Sequence, residues 1–136
     1  MAVPQLFALI GLEPCSQVNL AKMIESGLPL SVISALKEAG LTATEISEII
    51  ISPRTLKSRK TRNEPLSLKE SDRVVRLARI ISQADRVFPS RDKALLWLRT
   101  PDDSLDGCPP LKWLVSGAGA RVVESLLQQI DEGLYA

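Results

Sequence analysis

The sequence predicts an all-α protein, and three observations predict it. Apolar residues recur at helical spacing along nearly the whole chain, Ser/Thr and Glu pairs stand three residues apart at the heads of those segments, and no stretch reads convincingly as sheet. The first apolar run, "LFALIGL" from Leu6 to Leu12, is short enough to fit either a helix or a strand-like arm. Between Gln17 and Ser26, Val18, Ala21 and Ile24 repeat at helical spacing until Gly27 stops the pattern, and Val32, Ile33 and Leu36 repeat it before Gly40. Thr42 and Glu45 form a capping box ahead of Ile46, Ile49 and Ile50, and Ser52-Pro53 is a cap followed by proline at the first helical position. Ser67 and Glu70 form a second box. It opens a longer helix whose inner face is Val74, Leu77, Ala78, Ile81, Ala84 and Phe88. Pro89-Ser90 ends that helix and starts another, with Ala94, Leu95, Trp97 and Leu98, up to Arg99. A Pro/Gly/Asp loop and a "PPLKWLV" turn then lead to a last helix from about Ser116 to Glu132, striped by Val122, Val123, Leu126, Leu127 and Ile130.

Composition narrows the function. A chain of 136 residues that is 45% hydrophobic builds a modest core and excludes several large domains. The expected organisation is an arm and helix-turn-helix over 1–66, a connecting helix over 67–89 and a C-terminal domain over 90–136. No apolar run is long enough to span a bilayer, and no basic n-region of a signal peptide precedes Leu6, so a soluble protein of the reducing cytoplasm is expected. Cys15 and Cys108 lie far apart without CxxC pairing, which suggests neither a zinc knuckle nor a disulfide framework. With no histidine, the commonest general base and metal ligand are missing, along with every Ser-His or Cys-His nucleophile pair. There is no phosphate-binding glycine loop either. Asp102, Asp103 and Asp106 superficially resemble oxygen ligands but lack the closing Glu of a calcium loop, and read as turn and cap acids. No metal, cofactor or enzymatic activity is expected.

The charge is unevenly placed. Residues 1–51 hold 2 basic and 5 acidic groups, residues 52–62 hold 5 and 0, residues 63–100 hold 8 and 5, and residues 101–136 hold 2 and 6. Segregation of this kind suits a protein with two partners, one of them nucleic acid. A capped helix over Thr42 to Ile50, a tight turn and a second capped helix from Pro53 have the spacing of a helix-turn-helix. With Leu56 pointing inward and about 100° per residue, Arg54 and Ser58 point away from the core, flanked by Thr55, Lys57, Thr61 and Arg62. Arg59 and Lys60 complete the basic run. Such cations suit guanine edges or phosphates, and they equally suit the negative end of a helix dipole in solvent. Arg73, Arg76 and Arg79, three residues apart, fit a solvated face paired with Asp72 or a second phosphate-contacting stripe. Trp97 and Trp113, among leucines and without interleaved cations, read as packing residues, not base-stacking platforms.

Three ordered segments also carry a resemblance. "EISEIIISPRTLKSRKTRNEPLSLKESDRVVRLARIISQADRVF", "KALLWLRTPDDSLDGCPPLKWL" and "GARVVESLLQQIDEGLYA" resemble the Xre/MbcA/ParS family of bacterial antitoxins with a C-terminal toxin-binding domain. The resemblance implies an Xre-like DNA-binding module, repression of a toxin–antitoxin operon, and neutralisation of a toxin, often of the RES type that acts on NAD. It places the recognition helix at Ser52 to Lys60 and toxin binding within Ser90 to Ala136, with Gly133, Leu134, Tyr135 and Ala136 approaching the toxin's active-site cleft. A homodimer bound to operator DNA within a larger toxin complex is expected. The competing expectation is a stand-alone dimeric transcription regulator whose C-terminal helices only dimerise.

Overall fold

The computed structural model describes residues 3–133, and among these the chain is helical, with no strand beyond one isolated bridge between Asp102 and Cys108. The helices are α1 (Val3–Ile10), α2 (Gln17–Ser26), α3 (Ser31–Glu38), α4 (Ala43–Ile49), α5 (Pro53–Arg62), α6 (Leu68–Val87), α7 (Arg91–Arg99) and α8 (Gly117–Asp131), with 3-10 turns at Asp103–Leu105 and Pro110–Val115. The chain forms two compact units, Met1–Val75 and Arg76–Ala136, so that α6 gives its first residues to one and the remainder to the other.

In the first unit the ambiguous apolar run is a helix, and α1 packs against α3. Leu6, Phe7, Leu9 and Ile10 are all buried, and a set spaced i, i+1, i+3, i+4 falls on one side of a helix but on both faces of a strand. Val32, Ile33 and Leu36 of α3 are buried as the spacing predicts, as are Ile46, Ile49 and Ile50 in and after α4. Helix α2 departs from its expected face. Val18 is 65% exposed and Ala21 lies outside as well, while Leu20 is buried with Met23 and Ile24 half-buried beside it. Two i, i+3 stripes overlap on this short helix, and the one with the larger side chains turns inward.

The capping residues behave as expected. Ser16, not among the expected caps, accepts the Asn19 N–H in the same way at 3.1 Å. Thr42 accepts the Glu45 N–H at 3.1 Å while Glu45 Oε1 accepts the Thr42 N–H at 2.9 Å. Ser67 and Glu70 repeat the arrangement at 3.1 and 2.8 Å. Long-range polar bonds close the unit. Leu66 N–H donates to the Leu28 carbonyl at 3.0 Å, and the Leu28 N–H donates to the fully buried Ser71 hydroxyl at 2.8 Å. Gly27 permits this approach: its φ is +96°, and a Cβ there would collide with the Leu66 carbonyl oxygen.

In α6 the expected Val74, Leu77, Ala78, Ile81 and Ala84 are buried, and Val75, Ile80 and Ser82 are buried too. Phe88 is half-buried, its ring 5.7 Å from that of Trp97. Within the second unit α7 buries Ala94, Leu95 and Leu98 and leaves Leu96 64% exposed. Half-buried Trp113 donates its indole N–H to the Leu105 carbonyl at 3.1 Å, the partner a packed tryptophan needs. Asp102 serves its own turn, accepting the Ser104 N–H at 2.8 Å and the Ser104 hydroxyl at 2.6 Å. In α8, capped by Ser116 on the Gly119 N–H at 3.0 Å, Val123, Leu126 and Leu127 are buried. Val122, expected on that stripe, is 51% exposed, because it lies a full 100° step round the helix from Val123.

Helix α8 packs directly on the Pro110–Val115 turn, and Gly119 makes that possible: a Cβ there would overlap the Trp113 carbonyl oxygen. An obstacle made of backbone cannot rotate away, so the clash should outweigh the gain of about 1 kcal/mol in helix propensity. Gly119→Ala is expected to lower stability by about 1–3 kcal/mol in urea unfolding. Gly117→Ala, whose Cβ would meet nothing closer than an Arg76 nitrogen at 4.0 Å, should be neutral or stabilising.

Candidate nucleic-acid interface and C-terminal unit

The helix-turn-helix is built as the sequence predicts, from α4, a turn over 50–52, and α5. Ser52 Oγ accepts the Thr55 N–H at 3.2 Å, and its own hydroxyl donates to Thr55 Oγ1 at 2.9 Å, with Pro53 in the first turn. At the other end Asn63, which no sequence pattern marks, adopts the left-handed conformation (φ 55°), and the Glu64 N–H closes on the Arg59 carbonyl at 2.9 Å. No side chain of α5 is fully buried, and Leu56, the predicted inward anchor, is half-buried. Arg54, Lys57, Ser58, Lys60 and Arg62 are exposed and Thr55 is half-exposed. The expected face therefore exists, free of acidic residues on its own helix.

Arg59 is placed differently from the rest of the run. Its Nε donates to Glu70 Oε1 at 3.2 Å and its Nη2 to Glu70 Oε2 at 3.1 Å, a two-pronged bond from α5 to the head of α6. Glu70 is 9% exposed. Burial works against its charge, but the Ser67 N–H, the Arg59 guanidinium and the Ser67 hydroxyl together outweigh it and hold the carboxyl below the usual carboxylate range. Reciprocally, the hydrogen bond to Glu70 raises the pKa of Arg59 further. The every-third-residue arginines also separate: Arg73 donates to the Ile50 carbonyl at 3.3 Å, Arg76 to the Leu114 carbonyl at 3.5 Å, and Arg79 is exposed. The Arg59–Glu70 and Arg73–Ile50 bonds were not foreseeable from sequence pattern. The nearest signal is the Ser67–Glu70 box, which names one partner of Glu70 and leaves the other unstated.

In the second unit, Gly133 has φ +75° and its N–H closes on the Ile130 carbonyl at 3.1 Å, the left-handed exit from the last helix that a glycine there predicts. Leu134, Tyr135 and Ala136, the other expected toxin contacts, lie outside the described residues. Among the described residues no group of three or more His, Cys, Asp or Glu side chains is placed to hold a metal ion, and no helix is long and apolar enough to cross a membrane.

The depressed pKa of Glu70 makes a prediction about acid. A carboxyl whose folded pKa lies below its unfolded value of about 4.5 contributes its full stability above that value and loses it as pH falls through the lower, folded one. Glu70→Gln should therefore lower stability at pH 7 by about 1.5–3 kcal/mol, the usual worth of a hydrogen bond to a charged group. Urea midpoints of the two proteins should converge as the pH is taken below the unfolded value.

Comparison with known proteins matches two successive parts of the chain. Residues 20–79 match the family of the antitoxin Xre-like helix-turn-helix domain, and residues 83–133 match the antitoxin Xre/MbcA/ParS C-terminal toxin-binding domain. The chain is 36% identical over 121 residues to antitoxin Xre of Pseudomonas putida, covering 89% of this chain and 76% of that protein. It is 28% identical to antitoxin Xre of Yersinia enterocolitica over 93% of this chain and 88% of the relative. It is 26% identical to a Sphingobium protein named Prs ADP-ribosylating antitoxin, over 96% and 89% of the two chains. With a capped helix-turn-helix inside the first match and a helical unit bearing the second, the chain belongs to the Xre family of antitoxins.

Proposed function

We propose that this antitoxin works in a type II pair, neutralising a RES-type, NAD-consuming toxin with its C-terminal segment and repressing its own operon as a homodimer, in the cytoplasm and without chemistry of its own. The observation that carries the DNA half is the exposed face of α5, where Arg54, Thr55, Lys57, Ser58, Lys60 and Arg62 stand on a helix with no acid. Two-fold pairing would set two such helices into successive major grooves. Phosphate neutralisation by these cations would supply most of the affinity, and Arg54 and Lys57 near the start of the helix are the best candidates for base edges.

The toxin half rests on the toxin-binding family match over residues 83–133 and on the turn at Gly133. A left-handed exit redirects the chain off the helix axis, which would let Leu134, Tyr135 and Ala136 enter a neighbouring cleft. An aromatic ring with a polar tip suits a pocket built for NAD, and its presence there would exclude substrate. The words ADP-ribosylating in one relative's name support this chemistry, because ADP-ribose transfer draws on NAD.

Two experiments test the proposal. In salt titrations with a duplex taken from upstream of its own gene, Arg54→Ala with Lys57→Ala should weaken binding by about 1–3 kcal/mol for each base edge no longer read. If the two side chains meet phosphate instead, the slope of log K on log salt should fall by about 0.9 for each phosphate no longer neutralised. Unchanged binding by the folded double variant would remove α5 from the interface. Deleting Leu134 to Ala136 should leave folding and duplex binding intact and abolish protection when the co-encoded toxin is expressed. Full protection at matched expression would move the inhibitory surface onto α7 and α8, and the absence of any co-encoded toxin would favour the stand-alone regulator.

A further inference from the structure

We propose that Glu70 is a positioning residue for DNA recognition, holding α5 in its docking orientation through Arg59, so that Arg59 is a strut and not a DNA contact. The inference rests on the DNA-binding role proposed for α5 and deepens it. A helix is ordinarily oriented by an apolar stripe sunk into the core. Helix α5 has none: no side chain on it is fully buried, and Leu56 reaches only half-burial. Its local caps, Ser52 and Asn63, fix where it starts and stops but not how it is turned about its axis.

What remains is the fork. Both carboxylate oxygens of Glu70 take a nitrogen of Arg59, at 3.2 and 3.1 Å, and two parallel bonds between planar groups fix direction as well as distance. Glu70 is itself immobilised, because Oε1 also accepts the Ser67 N–H at 2.8 Å and the side chain is 9% exposed. One turn further along α6, Arg73 donates to the Ile50 carbonyl at 3.3 Å, at the start of the turn that leads into α5. Residues three apart on a helix share a face, so Glu70 and Arg73 form one polar edge that grips α5 in its C-terminal half and the turn just before it. The basic run thus divides by role. Arg54, Lys57, Lys60 and Arg62 are exposed for DNA, while the guanidinium of Arg59 is committed to its own protein.

Simple charge counting predicts the opposite behaviour, which makes the two roles separable. If Arg59 met phosphate, removing the Glu70 charge would free a cation and tighten DNA binding. If Arg59 is a strut, removing that charge loosens the recognition helix and weakens binding. Glu70→Gln is a conservative probe, because glutamine also serves at the third position of a capping box and only the charged fork is removed.

The experiment uses the full chain, the duplex from upstream of its own gene, and the variants Glu70→Gln, Arg59→Gln and both together. Each single variant is expected to bind about tenfold more weakly with an unchanged salt slope, and the double variant no more weakly than the worse single one. Amide hydrogen exchange on the free proteins supplies a second measurement, independent of DNA. In Glu70→Gln the α5 amides should lose about tenfold more protection than those of α3 and α4, which fall only by the change in global stability. Equal or tighter duplex binding by Glu70→Gln, or a slope about 0.9 smaller for Arg59→Gln, would overturn the assignment. So would α5 protection that falls no further than that of α3 and α4 in Glu70→Gln. An unaltered protein with no salt-dependent affinity for the duplex would instead remove the DNA role itself, and with it any positioning role.

Discussion

Helix α6 imposes the constraint that the other elements answer. Val74, Leu77, Ala78, Ile80, Ile81 and Ala84 are fully buried, with Val75 close behind, and these positions run round more than half of its circumference. A helix so apolar cannot lie on a surface. It has to be covered, and each unit covers its own share: α1 to α5 belong with the residues up to Val75, and α7, the 3-10 turns and α8 with those from Arg76 onward. Short helices of seven to ten residues, marginal in isolation, gain their stability from this packing.

Three polar groups near the head of α6 tie segments distant in sequence. Ser71 is wholly buried and holds the Leu28 N–H; Glu70 holds Arg59; Arg73 holds the Ile50 carbonyl. All three come from the first two turns of α6. A buried group left unpaired costs far more than a paired one gains, so these bonds act less as stabilisers than as requirements that reject other arrangements of the same helices. Close backbone approach does the same for Gly27 against Leu66 and for Gly119 against Trp113, where only glycine leaves room.

Charge of the two signs falls on different segments of the chain. A DNA-facing helix needs exposed cations, and four of the five within residues 52–62, Arg54, Lys57, Lys60 and Arg62, are exposed on α5, a helix that buries no side chain fully. Residues 101–136, which lie mostly within the toxin-binding family match, hold 6 acids against 2 bases. Keeping the two signs on different segments lets a chain of net charge +1 present both.

What the sequence by itself determined is whatever depends on residues within about four positions of one another. Helix heads were legible because Thr42, Ser52, Ser67, Ser90 and Ser116 reach only to the N–H three residues on. The turn of Gly133 and the helix-turn-helix spacing were legible for the same reason, as was the exposure of Arg54 and Ser58. Only the tertiary structure decided which of two overlapping stripes α2 would bury, that Val122 would face outward, and that Arg59 would leave the basic face to bond Glu70. Each of those outcomes depends on what lies across a gap between elements. Periodicity describes the faces of one helix at a time, and carries no information about the partner that each face will meet.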